Sequence, residues 1–198
     1  MLHGRGGSAA DILGLVERAG LTRTAAIAPE APGNSWWPTS FLAPMGQMAP
    51  HLDAGLGTVA AAVATLQAEG MARDRIWLAG FSQGACLALE AFARQGQGLA
   101  GVLAFSGGLV GTSDDPGGDG LYGHGAKRLD YPGDLTGGKA WISVHERDPH
   151  IPLARALDSA RALTGMGAAV ETRTYPGAGH AVMRDDLATL RAWVNEGA

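Results

Sequence analysis

A serine between two glycines at the end of an apolar run, Gly80-Phe81-Ser82-Gln83-Gly84 within RIWLAGFSQGACLAL, carries the strongest chemical signal in the chain. Glycine is costly at the start of a helix unless other backbone must pass close by. The pair therefore implies a sharp strand-to-helix bend that lifts the Ser82 hydroxyl clear of a sheet, the arrangement of an activated nucleophile. At such a bend the N–H of Gln83, first in the helix, faces the point where an oxyanion would form. A serine hydroxyl is a poor nucleophile until a base takes its proton, and here an acid and then a histidine should follow it along the chain. Asp148 follows the apolar run at 140–144, in VHERDPHIP, and His180 ends the glycine-rich YPGAGH before the last helical pattern. His180 would be the general base, and Asp148 would orient its ring and stabilise the imidazolium. A carbonyl oxygen gaining charge needs a second N–H donor; the bend in Leu2-His3-Gly4-Arg5-Gly6-Gly7 can supply it, with Arg5 the expected donor.

The elements that must position these groups are legible as alternating patterns. Short apolar runs at 24–28, 75–79, 100–105 and 140–145, and an alternating one at 169–175, read as strands. Apolar residues at helical spacing mark helices over 52–66, 85–93, 153–163 and 185–194, the second with one apolar face. Alternation of this kind predicts an α/β architecture with a mostly parallel sheet, whose sites lie at the carboxyl ends of the strands. The chain reads as a single domain of 198 residues. The irregular, glycine-rich stretch 107–138 is too long for a plain connection. A surface insertion is the preferred reading and a lid the alternative.

Other candidates carry less. His145, Asp148 and His150 fit no trusted zinc-ligand spacing, so no metal site is expected. Cys86, the single cysteine, falls on the apolar face of a helix and reads as a buried thiol; alone it forms no internal disulfide. His51 and His124 read as surface or helix-cap residues, and Asp114, Asp115 and Asp119 as solvated loop acids. The first loop lacks the strand and third glycine of a phosphate-binding Gly-x-Gly turn. Trp36, Trp37 and Phe41 have two readings, core filling for one of them or an apolar acyl-binding wall, and the second is favoured because adjacent tryptophans in a Pro/Gly/Ser-rich loop are hard to bury together.

Composition bounds the rest. A hydrophobic fraction of 46% with 17% charged residues describes a folded globular chain, and a net charge of −4 without a basic cluster argues against nucleic acid. No 18-residue apolar run or secretory leader is present, so neither a membrane span nor export is expected; with one cysteine, the cytoplasm is the expected location. Glycine, at 31 residues, exceeds ordinary usage, as a bias toward Gly, Ala and Arg explains everywhere except around Ser82.

LHGRG, GFSQGA, DPHIP and GAGH, in this order, resemble the phospholipase/carboxylesterase family of α/β-hydrolases, which includes the acyl-protein thioesterases; APEAPGNSWWPTSFLAP resembles that family's acyl-pocket segment. The likeness spans nearly the whole chain. It implies an α/β-hydrolase fold, a Ser82-Asp148-His180 triad and an oxyanion hole of the N–H groups near Arg5 and Gln83. It also implies a small-molecule ester as substrate, with no cofactor. A lysophospholipase or acyl-protein thioesterase acting on long-chain esters or thioesters, and a catalytically silent binding protein, are the alternatives. The sequence leaves the oligomeric state open, a homodimer included. Two departures stand out: HERD replaces a small residue after the histidine, and the insertion is longer than usual. The family's first strands are also missing, since only Met1, Leu2 and His3 precede Gly4. Either the native start lies upstream, the favoured account, or neighbouring strands shift and water fills the gap. A mobile donor near Arg5 is then expected.

Overall fold

The computed structural model describes residues 1–196. In chain order the elements are α1 (Ala9–Arg18), α2 (Met45–Ala68), β1 (Trp77–Phe81), α3 (Gln83–Gln95), β2 (Gly101–Phe105), β3 (Ser113–Asp115), β4 (Ala126–Arg128), β5 (Lys139–Arg147), α4 (Leu153–Gly165), β6 (Ala169–Ala178) and α5 (Arg184–Glu196). β1, β2, β5 and β6 form a parallel sheet in that order, and β3 and β4 pair as a separate antiparallel hairpin. Successive side chains of a strand face opposite ways. Leu78, Val102, Ala104, Ile142 and Val144 accordingly join the core shared with α2, α3 and α4, while Ala79, Leu103, Phe105 and Trp141 pack against α1 and α5.

α3 departs from the one-sided pattern expected of it, because every residue from Gln83 to Ala93 is buried. A helix enclosed on all sides must be small-sided or apolar all round. Gly84, Ala85, Ala88 and Ala91 meet the first requirement. Its partner α2 supplies Gly55, where a Cβ would stand 3.0 Å from Leu87 Cδ1.

The expected strand at 24–28 does not form. Residues 24–28 have no regular structure, and among the described residues the outer edge of β1 is met instead by Leu2, in an isolated parallel bridge to Gly80. A strand needs a ladder partner, and among the described residues the main-chain link to this stretch runs from the Met1 amino group to Ile27 O, at 2.8 Å. A cavity of about 150 Å³, lined by Leu2, Ile27, Val63, Leu78 and Leu190 among others, lies along this edge. Leu2 itself is well held: its N–H donates to Ala79 O (2.8 Å) and its carbonyl accepts from Phe81 N (3.2 Å).

The stretch 107–138 is not a plain surface insertion. Its first residues, 107–111, are buried, and Glu90 of α3, fully enclosed, anchors it. Glu90 accepts from Gly111 N (2.9 Å), Arg94 Nε (2.6 Å) and the Tyr131 hydroxyl. Lys127 of β4 is buried as well, and its ammonium donates to Phe41 O at 3.1 Å. Burial, reinforced by the nearby Arg155 charge, lowers its pKa to about 8. Between that value and the ordinary lysine range, the unfolded chain binds a proton that the folded one does not, so stability rises with pH in that window. The unfolding free energy should increase by about 2 kcal/mol from pH 8 to pH 10, relative to Lys127→Met, in parallel urea titrations. Identical pH slopes for the two proteins would contradict this.

Candidate active site

β1 runs straight into Ser82, whose backbone sits at φ 55°, ψ −119°, a conformation a non-glycine residue holds only when its surroundings fix it. Ser82 N donates to Phe105 O at the end of β2 (2.9 Å), and its carbonyl accepts from Cys86 N (3.0 Å) to open α3. The flanking glycines are required by contact. A Cβ on Gly80 would lie 2.4 Å from Gly84 O, and one on Gly84 would lie 2.2 Å from Leu2 O. The first turn of α3 is thereby pressed against both β1 and the N-terminal segment. The N–H of Gln83, among the first of the helix, has no intrahelical acceptor and remains available to a ligand.

Asp148 and His180 follow the carboxyl ends of β5 and β6. His180 Nε2 stands 2.8 Å from Ser82 Oγ, and its Nδ1 lies 2.8 and 3.0 Å from the two Asp148 oxygens. With a neutral ring, this leaves Nδ1–H donating to the carboxylate and Nε2 free to accept the serine proton. Burial would push the Asp148 pKa up, but hydrogen bonds from His180 and from the N–H groups of His150 (2.9 Å) and Ile151 (3.0 Å) prevail and hold it below the ordinary aspartate range. Asp148 therefore stays ionised at neutral pH. The loop carrying His180 is fixed from both sides. A Cβ at Gly179 would lie 2.6 Å from the His145 ring, so only glycine lets the loop cross there. After it, buried Asp186 accepts from Met183 N (2.8 Å), Trp141 Nε1 (2.9 Å) and the Tyr175 hydroxyl (3.0 Å), which seats the start of α5.

The Gly4-Arg5 bend lies against the same serine, where a Cβ on Gly4 would stand 3.3 Å from Ser82 Cβ. Several bonds tie it down. Gly7 N donates to Gly4 O (3.1 Å), Gly6 N to Asn34 O (2.7 Å), and the Arg5 guanidinium to the carbonyls of Pro38 (2.9 Å) and Thr39. Buried His3 adds a bridge: its Nε2 accepts from Ala31 N (3.1 Å), so the proton sits on Nδ1 and donates to Gly4 O (2.8 Å).

Trp37 and Phe41 line a cleft of about 490 Å³ that opens onto Ser82 and His180. Trp36 lies outside that cleft. It is buried beside His3, with ring centroids 5.2 Å apart, and its indole N–H donates to His3 O at 2.9 Å, so it braces the N-terminal loop rather than an acyl chain. Two adjacent tryptophans are both buried after all, because the Gln83 side chain satisfies the backbone between them. Its amide donates to Trp37 O (2.8 Å) and accepts from Trp36 N (2.8 Å) and the Ser35 hydroxyl (3.3 Å). Residues the sequence left aside also reach the cleft. Tyr122 and His124, on the turn of the 107–138 stretch, line it together with His150, and the Tyr122 hydroxyl donates to Asp148 O at 2.8 Å. His51 is exposed on α2. Cys86 is fully buried, and burial pushes its thiol up to about 12, which keeps it protonated and unreactive. Among the described residues no group of three or more His, Cys, Asp or Glu is arranged to hold a metal ion.

Removing the Gln83 amide would strand Trp36 N in a buried site, at about 1–3 kcal/mol, while Trp37 O keeps the Ser35 hydroxyl as a donor (2.7 Å). Gln83→Ala should therefore lower the unfolding free energy by about 1–3 kcal/mol in chemical denaturation. A loss below about 0.5 kcal/mol would show that the staple carries no weight.

A model of the phospholipase/carboxylesterase family matches residues 1–116, more than half of the chain. A phospholipase/carboxylesterase from Dyadobacter fermentans is 39% identical, with a TM-score of 0.86 over 98% of this chain and 88% of that one. Esterase PE8 is 25% identical, with a TM-score of 0.74 over 100% and 90% of the two chains. Acyl-protein thioesterase 1 of Gibberella zeae is 30% identical over 128 residues, 64% of this chain and 50% of that protein, so the aligned part spans half the length of the curated relative it matches. The family model takes in both the Gly4-Arg5 bend and the Ser82 turn, and the structural likeness extends the match to nearly the whole chain: the protein belongs to the phospholipase/carboxylesterase family of α/β-hydrolases.

Proposed function

We propose that the protein is a serine esterase that hydrolyses carboxylic esters of short to medium acyl chain through an acyl-enzyme on Ser82. The observation that carries this reading is His180 bridging Ser82 Oγ and the Asp148 carboxylate at 2.8 Å on each side. Ser82 Oγ attacks the ester carbonyl carbon while His180 Nε2 takes its proton, and Asp148 stabilises the imidazolium. The carbonyl oxygen, now an anion, accepts from the N–H groups of Gln83 and Arg5. Collapse breaks the bond to the leaving oxygen, which leaves as an alcohol with the proton from His180. Water, deprotonated by the same nitrogen, then attacks the acyl-enzyme and releases the acid and Ser82. The chemistry calls for no cofactor.

Ser82→Ala and His180→Ala should each lower kcat by roughly 10³- to 10⁶-fold with little change in stability. Retention of most of the esterase rate by Ser82→Ala, on a preparation free of contaminating esterase, would overturn the mechanism.

The chain-length preference is supported by the cleft, whose walls at Trp37, Phe41 and the tethered Tyr122 turn are each fixed by hydrogen bonds. Each added methylene that finds room contributes at most about 0.8 kcal/mol, and the gain ends when the cleft is full. Along an acetyl-to-palmitoyl series of esters, kcat/KM should peak before the long chains. A value still climbing at palmitoyl favours the second reading, a lysophospholipase or an acyl-protein thioesterase, the latter supported by the likeness to acyl-protein thioesterase 1. Comparison of an ester with its thioester of equal acyl length separates those two activities.

A further inference from the structure

The cleft has a second region that the triad does not use. Collapse of the tetrahedral intermediate requires the leaving oxygen to stand within hydrogen-bond reach of His180 Nε2, so the leaving group lies beside His180. The His150 ring stands edge-on to the His180 ring there, with centroids 4.8 Å apart. Next to it comes the 121–124 turn, closed by two main-chain bonds of 3.0 Å between Leu121 and His124 and tethered by the Tyr122 hydroxyl to the Asp148 carbonyl. His124 and His150 both line the cleft, and the Tyr122 ring is 54% exposed.

The chemistry of this wall is one-sided. The chain carries 19 Asp and Glu against 15 Lys and Arg, yet among the described residues none that lines the cleft is acidic. Besides Tyr122, the remaining charged or titratable groups of the lining are Arg5, His180 and the buried thiol of Cys86, and Asp148 is buried behind His180. A cationic leaving group would find no carboxylate there. An anionic one would find two imidazoles, each able to donate an N–H when neutral and two when protonated.

We infer that His124, His150 and the Tyr122 turn form a leaving-group subsite for an alcohol or thiol that carries an anionic group, a carboxylate or a phosphate, a few bonds from the ester oxygen. The inference rests on the esterase reading above, since it needs His180 as the proton donor to the leaving group. Two imidazole donors to an anion in a partly open cleft correspond to a preference of roughly five- to thirty-fold.

The test uses butyrate esters that differ only in the alcohol: 4-hydroxybutanoate, 3-hydroxypropyl phosphate, the neutral 4-hydroxybutanamide, and choline. For the full-length protein, kcat/KM for one or both anionic esters should exceed that of the amide by at least about five-fold, with the choline ester slowest. Which anion leads tells carboxylate from phosphate. In the His124→Ala/His150→Ala double variant the anion-to-neutral ratio should fall to about one. A wild-type ratio near one overturns the subsite, as does a preference that persists in the double variant or disappears instead in Arg5→Ala. Binding of the two free anionic alcohols to Ser82→Ala, followed through the imidazole NMR signals, separates this idea from the esterase reading. Shifts of His124 and His150 that the amide does not cause support the subsite even if no ester turns over. Their absence contradicts it even if esters are hydrolysed.

Discussion

The close approach of the first turn of α3 to the N-terminal segment sets the geometry of everything near Ser82. Gly84 lies so near Leu2 that any side chain there would overlap its carbonyl, and Gly80 is equally pressed by Gly84. Only with both glycines can the helix begin directly at the end of β1, and only then is Ser82 forced to a positive φ with its hydroxyl turned out of the sheet. The same approach brings the Gly4-Arg5 bend beside the N–H of Gln83, so under the proposed mechanism one contact would build both the nucleophile and the anion-binding corner. Under that mechanism, substitution at Gly84 would disturb attack and oxyanion stabilisation together.

The rest of the molecule holds that contact in place. Parallel pairing of β1 with β2, and of β5 with β6, brings Asp148 and His180 to the same end of the sheet as Ser82, with Phe81, Phe105 and Ser143 in register across three strands. Side chains within and around the site have two tasks at once. Gln83 offers its N–H to the cleft and staples residues 35–37 with its amide. Asp148 orients His180 through its carboxylate, and through its carbonyl it anchors the Tyr122 turn. Glu90, two turns along α3 from Ser82, secures the base of that same stretch through Gly111 and Tyr131. The nucleophile helix, the acid and the cleft wall are consequently one connected hydrogen-bonded unit.

Much of this was legible in the sequence because it is written in local spacing. Gly-x-Ser-x-Gly at the end of an apolar run, an aspartate after a late strand and a histidine before the last helix need no knowledge of distant contacts, and the three residues meet in the structure. What was not legible depends on partners far along the chain. Residues 24–28 have the composition of a strand, but among the described residues β1 meets only Leu2 at its outer edge, and 24–28 form no ladder. Trp36 and Trp37 look alike in sequence. The backbone of 35–37, turned by the Gln83 amide, sends one to His3 and the other to the cleft. Tyr122 and His124 sit in a glycine-rich stretch with no periodicity, so only the fold reveals their position over Asp148 and beside the cleft.

The central claim is that the hydroxyl of Ser82, and no other group, becomes acylated. Rapid acid quenching of the protein during turnover of a butyrate ester, followed by peptide mapping by mass spectrometry, tests it directly. The account predicts a butyryl adduct confined to the peptide containing Ser82, at the serine itself, and no adduct in Ser82→Ala. An adduct on Cys86, or one that survives in Ser82→Ala, would contradict it.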